Sequence, residues 1–141
     1  MKALILDCSA AMVWCFTNTY DALAEETLEF LYLHPTVVPQ LWSLEIANTI
    51  LQSQRRKRLS AREAQEFIEL LEKLTIHVDD STHQNALSKT LHLAQQYTLS
   101  AYDAAYLELA LRLHLPLATR DKALENAAQQ SGVSLFGKDI S

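Results

Sequence analysis

Four acidic residues have the types and positions expected of a cation site. Asp7 closes an apolar run at the start of the chain, and Asp121 closely follows a later apolar segment. Glu45 and Asp103 lie in the first turns of two predicted helices. Carboxylates held close together repel one another unless cations neutralise them, and oxygen-only ligands select hard cations such as Mg²⁺ or Mn²⁺. Because such ions bind phosphate and activate water, hydrolysis of a phosphodiester bond is the chemistry that this set favours.

The elements that must position these acids alternate between strands and helices. Short apolar or alternating runs predict strands at 2–6, 36–39, 75–79, 115–119 and 133–136. Helical periodicity and capping residues predict helices at 21–33, 41–54, 60–74, 82–97, 101–113 and 122–130. This alternation predicts an α/β fold, a mostly parallel sheet with helices on both faces. Ligands of such sheets bind beyond the carboxyl ends of the strands, so we expect the four acids to converge there.

Each acid also has a structural explanation. Asp121 is a good N-cap for the helix that follows, and Ser100 with Asp103 fits a capping box. Asp7 is harder to explain in this way, because a carboxylate that closes a buried strand is unfavourable unless it is paired or bound to a cation. Glu45 begins a polar stripe on a helix that is otherwise apolar nearly all round. That pattern predicts a buried helix whose stripe faces a cavity or partner, with a solvated stripe as the alternative.

Composition sets further limits on the function. The chain has 141 residues, of which 49% are hydrophobic and 21% are charged, so we expect one globular domain over residues 1–141. Gly132 and Gly137 are the 2 glycines, which excludes a P-loop and a G-x-G-x-x-G motif. The 5 histidines lack zinc-site spacing. Cys8 and Cys15 form no C-x-x-C motif and are expected to be buried free thiols of a reducing compartment.

Charge and hydropathy patterns indicate where the protein works. No signal peptide or membrane-spanning run occurs, so we expect a cytoplasmic protein with no membrane association. A net charge of −5 argues against a protein that coats nucleic acid. It leaves open an enzyme that meets nucleic acid through cations and a local basic patch. The run Arg55, Arg56, Lys57 and Arg58 is the candidate patch for RNA phosphates, with interaction with the helix dipole and solvent as the alternative.

The segments around the acids resemble the PIN-domain ribonucleases, specifically the toxins of VapBC-type toxin–antitoxin pairs. The resemblance covers essentially the whole chain and is carried by residues 6–10 (LDCSA), 44–48 (LEIAN), 102–110 (YDAAYLELA) and 118–124 (ATRDKAL). It implies a PIN-like three-layer α/β/α sandwich with a short-stranded, mostly parallel sheet. It also implies an endoribonuclease that uses Mg²⁺ or Mn²⁺.

The resemblance assigns roles and partners as well. The catalytic, metal-binding acids would be Asp7, Glu45, Asp103 and Asp121. Ser9 and Thr119 match small hydroxyl residues beside the acids, so they would contact the acids or a phosphate. The implied partners are an RNA substrate, a small antitoxin and a second copy of the chain, with DNA met only through the antitoxin.

Two other functions are alternatives to the ribonuclease. One is a catalytically idle PIN-like scaffold that only binds a partner. The other is a receiver-type signalling domain, whose acids would hold Mg²⁺ beside a phosphorylated aspartate. A receiver domain requires an acidic pair before its acceptor strand and a Lys after its last strands, whereas here the first strand ends in the single Asp7 and no central strand ends in an acceptor aspartate.

Overall fold

A parallel sheet of four short strands forms the centre of the fold. The structure, a computed structural model, describes residues 2–16 and 20–137. The strands are β1 (Leu4–Leu6), β2 (Thr36–Val38), β3 (Ile76–Val78) and β4 (Leu117–Ala118). They pair in the order β3-β2-β1-β4, and every pairing is parallel. β1 is therefore an inner strand, which explains why its three side chains are apolar and fully buried.

Helices flank this sheet and supply most of the chain's regular structure. They are α1 (Cys8–Met12), α2 (Ala22–Leu33), α3 (Trp42–Arg55), α4 (Ala61–Glu72), α5 (Thr82–Asn85), α6 (Leu91–Tyr97), α7 (Ala101–Leu113) and α8 (Lys122–Ser131). Helix α7 packs against β1, β4, α6 and α8, while α1 packs against α3. This arrangement confirms the predicted α/β/α sandwich. Among residues 2–16 and 20–137, no helix combines the length and hydrophobicity that a membrane span requires.

Several elements are shorter or less regular than the sequence predicts. The strand expected at 133–136 is reduced to one parallel bridge between Leu135 and Leu117. The helix expected at 82–97 is interrupted by a π-helical turn, Ala86–Thr90, between α5 and α6. The predicted capping box of α4 is present, because Ser60 accepts from the backbone of Glu63 and the Glu63 carboxylate accepts in return.

The expectation that α3 is buried on nearly all sides is wrong. Of its 14 residues, Trp42, Ile46 and Ile50 are buried. Leu44 and Leu51 are instead 76% and 45% exposed. The polar stripe that begins at Glu45 therefore borders an exposed apolar face. The hydrophobic content of a helix does not by itself predict which side of the helix packs against the core.

An ion-pair network joins the end of β3 to α7. The Arg112 guanidinium donates to both carboxylate oxygens of Asp79, at 3.0 and 2.7 Å, and to both oxygens of Glu108, at 2.8 and 3.2 Å. Glu108 is 3% exposed, so Arg112 provides the countercharge for a buried acid. These hydrogen bonds also hold the pKa of Asp79 below its usual value. Asp79 therefore links the end of β3 to α7 through a tertiary contact.

Replacing Arg112 by Met should destabilise the protein because it leaves the buried Glu108 carboxylate without its cation. We expect a loss of about 2 kcal/mol in the free energy of unfolding, with partial exposure of Arg112 reducing the effect of a fully buried pair. That corresponds to a drop in Tm of about 4–8 °C by thermal denaturation.

The matched control is Arg62→Met. Arg62 pairs with Glu66 on the surface of α4, where the two side chains are 89% and 57% exposed. This variant should keep the wild-type Tm, since exposed pairs contribute little. Equal Tm values for the two variants would contradict a stabilising role for the Arg112 network.

Candidate active site

Asp7 lies at the carboxyl end of β1 and is almost completely enclosed. It is 4% exposed, and its backbone N–H donates to the carbonyl of Ala118 at 2.9 Å, which continues the pairing of β1 with β4. Its carboxylate oxygen Oδ2 accepts from the hydroxyls of Ser9, at 2.7 Å, and Thr119, at 2.6 Å. Burial raises the pKa of Asp7, and the two hydroxyls oppose that rise.

The orientation of both hydroxyls is set by the loop after β4. Ser9 Oγ accepts from the backbone N–H of Arg120 at 2.8 Å, and Thr119 Oγ1 accepts from the N–H of Asp121 at 3.1 Å. Because each hydroxyl accepts from the backbone, its single proton is available for Asp7. Two segments more than a hundred residues apart in the chain therefore meet at one carboxylate oxygen.

The other three predicted acids lie at the starts of three helices. Glu45 and Asp103 are half-buried in the first turns of α3 and α7, and Asp121 caps α8 by accepting from the N–H of Leu124 at 2.9 Å. Ser100 caps α7 through the N–H of Asp103 at 3.0 Å. The capping alternative is therefore present for Asp121. In α7 the cap is the Ser100 side chain, and the Asp103 carboxylate completes no capping box there.

Electrostatic effects show that the four acids are neighbours. Burial, together with the charges of Asp121 and Asp7, raises the pKa of Asp103 to about 6. The pKa of Glu45 is raised by burial, then by Asp7 and Asp103, while a hydrogen bond lowers it. Asp121 also raises the pKa of Asp7. Asp7, Glu45 and Asp103 therefore each lie close enough to another acid for its negative charge to raise their pKa, as like charges around one space do.

The donor chemistry fits a hard divalent cation, although the acids do not form a finished coordination shell. All donors at the cluster are oxygens, the ligands that Mg²⁺ and Mn²⁺ prefer. Within the described parts of the chain, no three His, Cys, Asp or Glu side chains are grouped so that they could hold a metal ion as placed. Side-chain rotation would be needed to bring the half-buried Glu45 and Asp103 onto one ion.

One buried aromatic residue also contacts the cluster. Tyr106 is fully buried, and its hydroxyl donates to Oε1 of Glu45. Tyr106 lies three residues after Asp103, so both belong to one face of α7. Sequence reasoning did not link Tyr106 to the acids, although its spacing from Asp103 was a signal that could have done so, and its partner on α3 is visible only in three dimensions.

The basic run 55–58 lies at the far end of α3 from Glu45. Arg55 ends α3, about 15 Å along the helix axis from Glu45. Arg55, Arg56, Lys57 and Arg58 are all exposed. Arg120 is paired with Asp21, the residue that caps α2.

Comparisons with known proteins agree with this architecture. Two solved structures share the fold. "Crystal structure of PAE2754 from Pyrobaculum aerophilum" has 20% sequence identity and a TM-score of 0.65, covering 89% of this chain and 86% of that chain. "Crystal Structure of FitAcB from Neisseria gonorrhoeae" has 17% identity and a TM-score of 0.64, covering 95% of this chain and 96% of that chain. No curated protein matches the sequence.

The family itself is shown by sequence. The family model described as "PIN domain" matches residues 4–130, a span that includes all four acids. This match excludes the receiver-domain alternative, because receiver domains belong to a different family. PIN domains are generally nucleases and typically use divalent metal ions. The chain belongs to the PIN-domain family.

Proposed function

We propose that the protein is a VapC-like endoribonuclease that hydrolyses RNA with Mg²⁺ or Mn²⁺ held by Asp7, Glu45, Asp103 and Asp121. The observation that supports this most directly is the grouping of the four acids at the sheet edge, where the charges of neighbouring acids add to the burial that raises the pKa values of Asp7, Glu45 and Asp103. A cluster of this kind is unfavourable for folding alone, and a divalent cation would remove the repulsion. Membership of a family of nucleases supports the reaction class.

The chain's own residues would hold and orient the reacting groups. Ser9 and Thr119 keep the Asp7 carboxylate fixed at the end of a rigid strand, and helices α3 and α7 present Glu45 and Asp103 from either side. When bound, a divalent cation supplies positive charge against the charge that develops on the phosphate and makes a water more acidic. Fixed carboxylates keep the cation in place without reorganisation during the reaction.

RNA and protein partners complete the proposal. The exposed run from Arg55 to Arg58 would hold RNA phosphates at a distance from the cleaved bond. A small antitoxin and a second copy of the chain are the proposed protein partners, and DNA would be met through the antitoxin. The exposed leucines of α3, Leu44 and Leu51, support a surface that a protein partner covers.

Removing a central acid should abolish cleavage while leaving the protein folded. We expect Asp7→Asn and Asp103→Asn each to lower the rate of Mg²⁺-dependent cleavage of pooled RNA by roughly a hundredfold or more. The measurement is single-turnover cleavage with and without EDTA, together with a far-UV circular dichroism spectrum of each variant.

Asp80→Asn is the matched control, because Asp80 is an exposed acid outside the cluster. It should cleave at the wild-type rate. Cleavage that survives EDTA, or full activity in Asp7→Asn, would contradict the metal-dependent mechanism. A wild-type chain that takes up no divalent ion and cuts no RNA would instead favour the idle scaffold.

Stability should depend on pH through Asp103. Its folded pKa of about 6 exceeds the unfolded value of 3.8, so the folded state holds this proton more tightly. The stabilising contribution is complete below the unfolded pKa and is lost as pH rises through the folded pKa. Without divalent ions, Asp103→Asn should therefore be more stable than wild type at neutral pH by about 1 kcal/mol, or about 2–4 °C in Tm.

This difference should vanish at about pH 4, where wild-type Asp103 is itself neutral. Thermal denaturation across the acid and neutral range is the measurement. Glu72→Gln, which neutralises an exposed acid on α4, should show no such growth of the difference with pH. A wild type that matches or exceeds the stability of Asp103→Asn at neutral pH would contradict the raised pKa.

Substitution of the basic run should weaken RNA binding without removing the chemistry. In a quadruple change of Arg55, Arg56, Lys57 and Arg58 to Gln, we expect KM for RNA to rise and kcat to change little, since these residues lie far from Glu45. The salt dependence of binding should become shallower as well. An unchanged KM and salt slope would favour the helix-dipole explanation of the run.

A further inference from the structure

The hydroxyl of Tyr106 is placed to act on the site rather than only to fill the core. The ring is fully buried within the hydrophobic core, where a phenylalanine would pack equally well. A buried hydroxyl is unfavourable unless it finds a partner, and that of Tyr106 donates to Glu45 Oε1, 61 residues earlier in the chain. The bond joins α7, which carries Asp103, to α3, which carries Glu45.

We propose that Tyr106 is a positioning residue that holds Oε1 of Glu45 and so turns the other carboxylate oxygen, Oε2, toward the cation. This inference rests on the proposed function, because it concerns how Glu45 serves the cation cluster. A glutamate side chain has three rotatable bonds, and a half-buried glutamate keeps part of that freedom unless a contact restricts it. The hydrogen bond from the rigid, buried phenol supplies the restriction.

The position of Tyr106 on its helix gives this bond a second effect. Tyr106 lies about one turn after Asp103, and the helix between them is rigid. Fixing Glu45 to Tyr106 therefore also fixes it relative to Asp103. At the backbone, Thr49 Oγ1 donates to the carbonyl of Glu45 at 2.8 Å, so the residue is held on both its main chain and its side chain. Two acids on separate helices thereby behave as a pair.

The test is Tyr106→Phe in the full chain, which removes one oxygen atom and keeps the ring. Binding of Mn²⁺ is measured by the electron paramagnetic resonance signal of free Mn²⁺, a readout that does not depend on RNA cleavage. We expect Kd for Mn²⁺ to rise about tenfold, as is typical when the partner of a ligating residue is lost. In cleavage assays, the Mg²⁺ concentration for half-maximal rate should rise, while KM for RNA stays unchanged.

Tyr97→Phe is the matched control, because Tyr97 is a partly buried tyrosine on α6 whose hydroxyl accepts from Gln96 at 3.4 Å. It should bind Mn²⁺ as wild type does. If Tyr106→Phe lowers the Tm, the same change in a Glu45→Gln background distinguishes a packing defect from a loss of positioning. A packing defect would weaken Mn²⁺ binding equally in both backgrounds, whereas positioning predicts a smaller loss when Glu45 is absent.

The outcomes distinguish this inference from the proposed function. If wild type binds Mn²⁺ and Tyr106→Phe binds it with the same Kd, the positioning role is wrong and the proposed function stands. Equal losses in the wild-type and Glu45→Gln backgrounds would overturn the positioning role as well. A wild-type chain that binds no Mn²⁺ would overturn both proposals together.

Discussion

The burial of one carboxylate is the constraint on which the arrangement of the site depends. Asp7 ends a strand whose side chains are wholly enclosed, so water cannot solvate its charge as it does on a surface. The fold compensates with two hydroxyls on one carboxylate oxygen, each held by a backbone N–H of the loop after β4. This requirement draws the first and last strands of the sheet together at the same edge, and it explains why residues 119–121 have a defined conformation.

Burial also makes the other acids of the site unfavourable for folding. It raises the pKa of both Asp103 and Glu45, and the negative charges of neighbouring acids add to the rise. At the end of β3, by contrast, Arg112 provides a cation for the buried Glu108 carboxylate. The side-chain partners that the structure gives the Asp7 and Glu45 carboxylates are hydroxyl groups instead.

The order of elements and the location of the acids followed from the sequence, because alternating strands and helices leave few topologies and carboxyl ends of parallel strands share an edge. The caps formed by Ser60 and Asp121 could also be predicted, because the residue types that cap a helix start are recognisable in the local sequence. The exposure of Leu44 could not be predicted, because the sequence of a largely apolar helix does not indicate which side packs against the core. The hydrogen bond from Tyr106 to Glu45 could not be predicted either, because it depends on how α3 and α7 approach each other.

The π-helical turn at Ala86–Thr90 matters for how relatives are aligned with this chain. A π turn accommodates about one residue more than an α turn, so it is equivalent to a single-residue insertion absorbed inside a helix. A homologue with an uninterrupted helix would need a one-position gap there. Without the gap, every residue of α6 would be compared with a position rotated by about 100° around the axis, and core positions would be mistaken for surface ones.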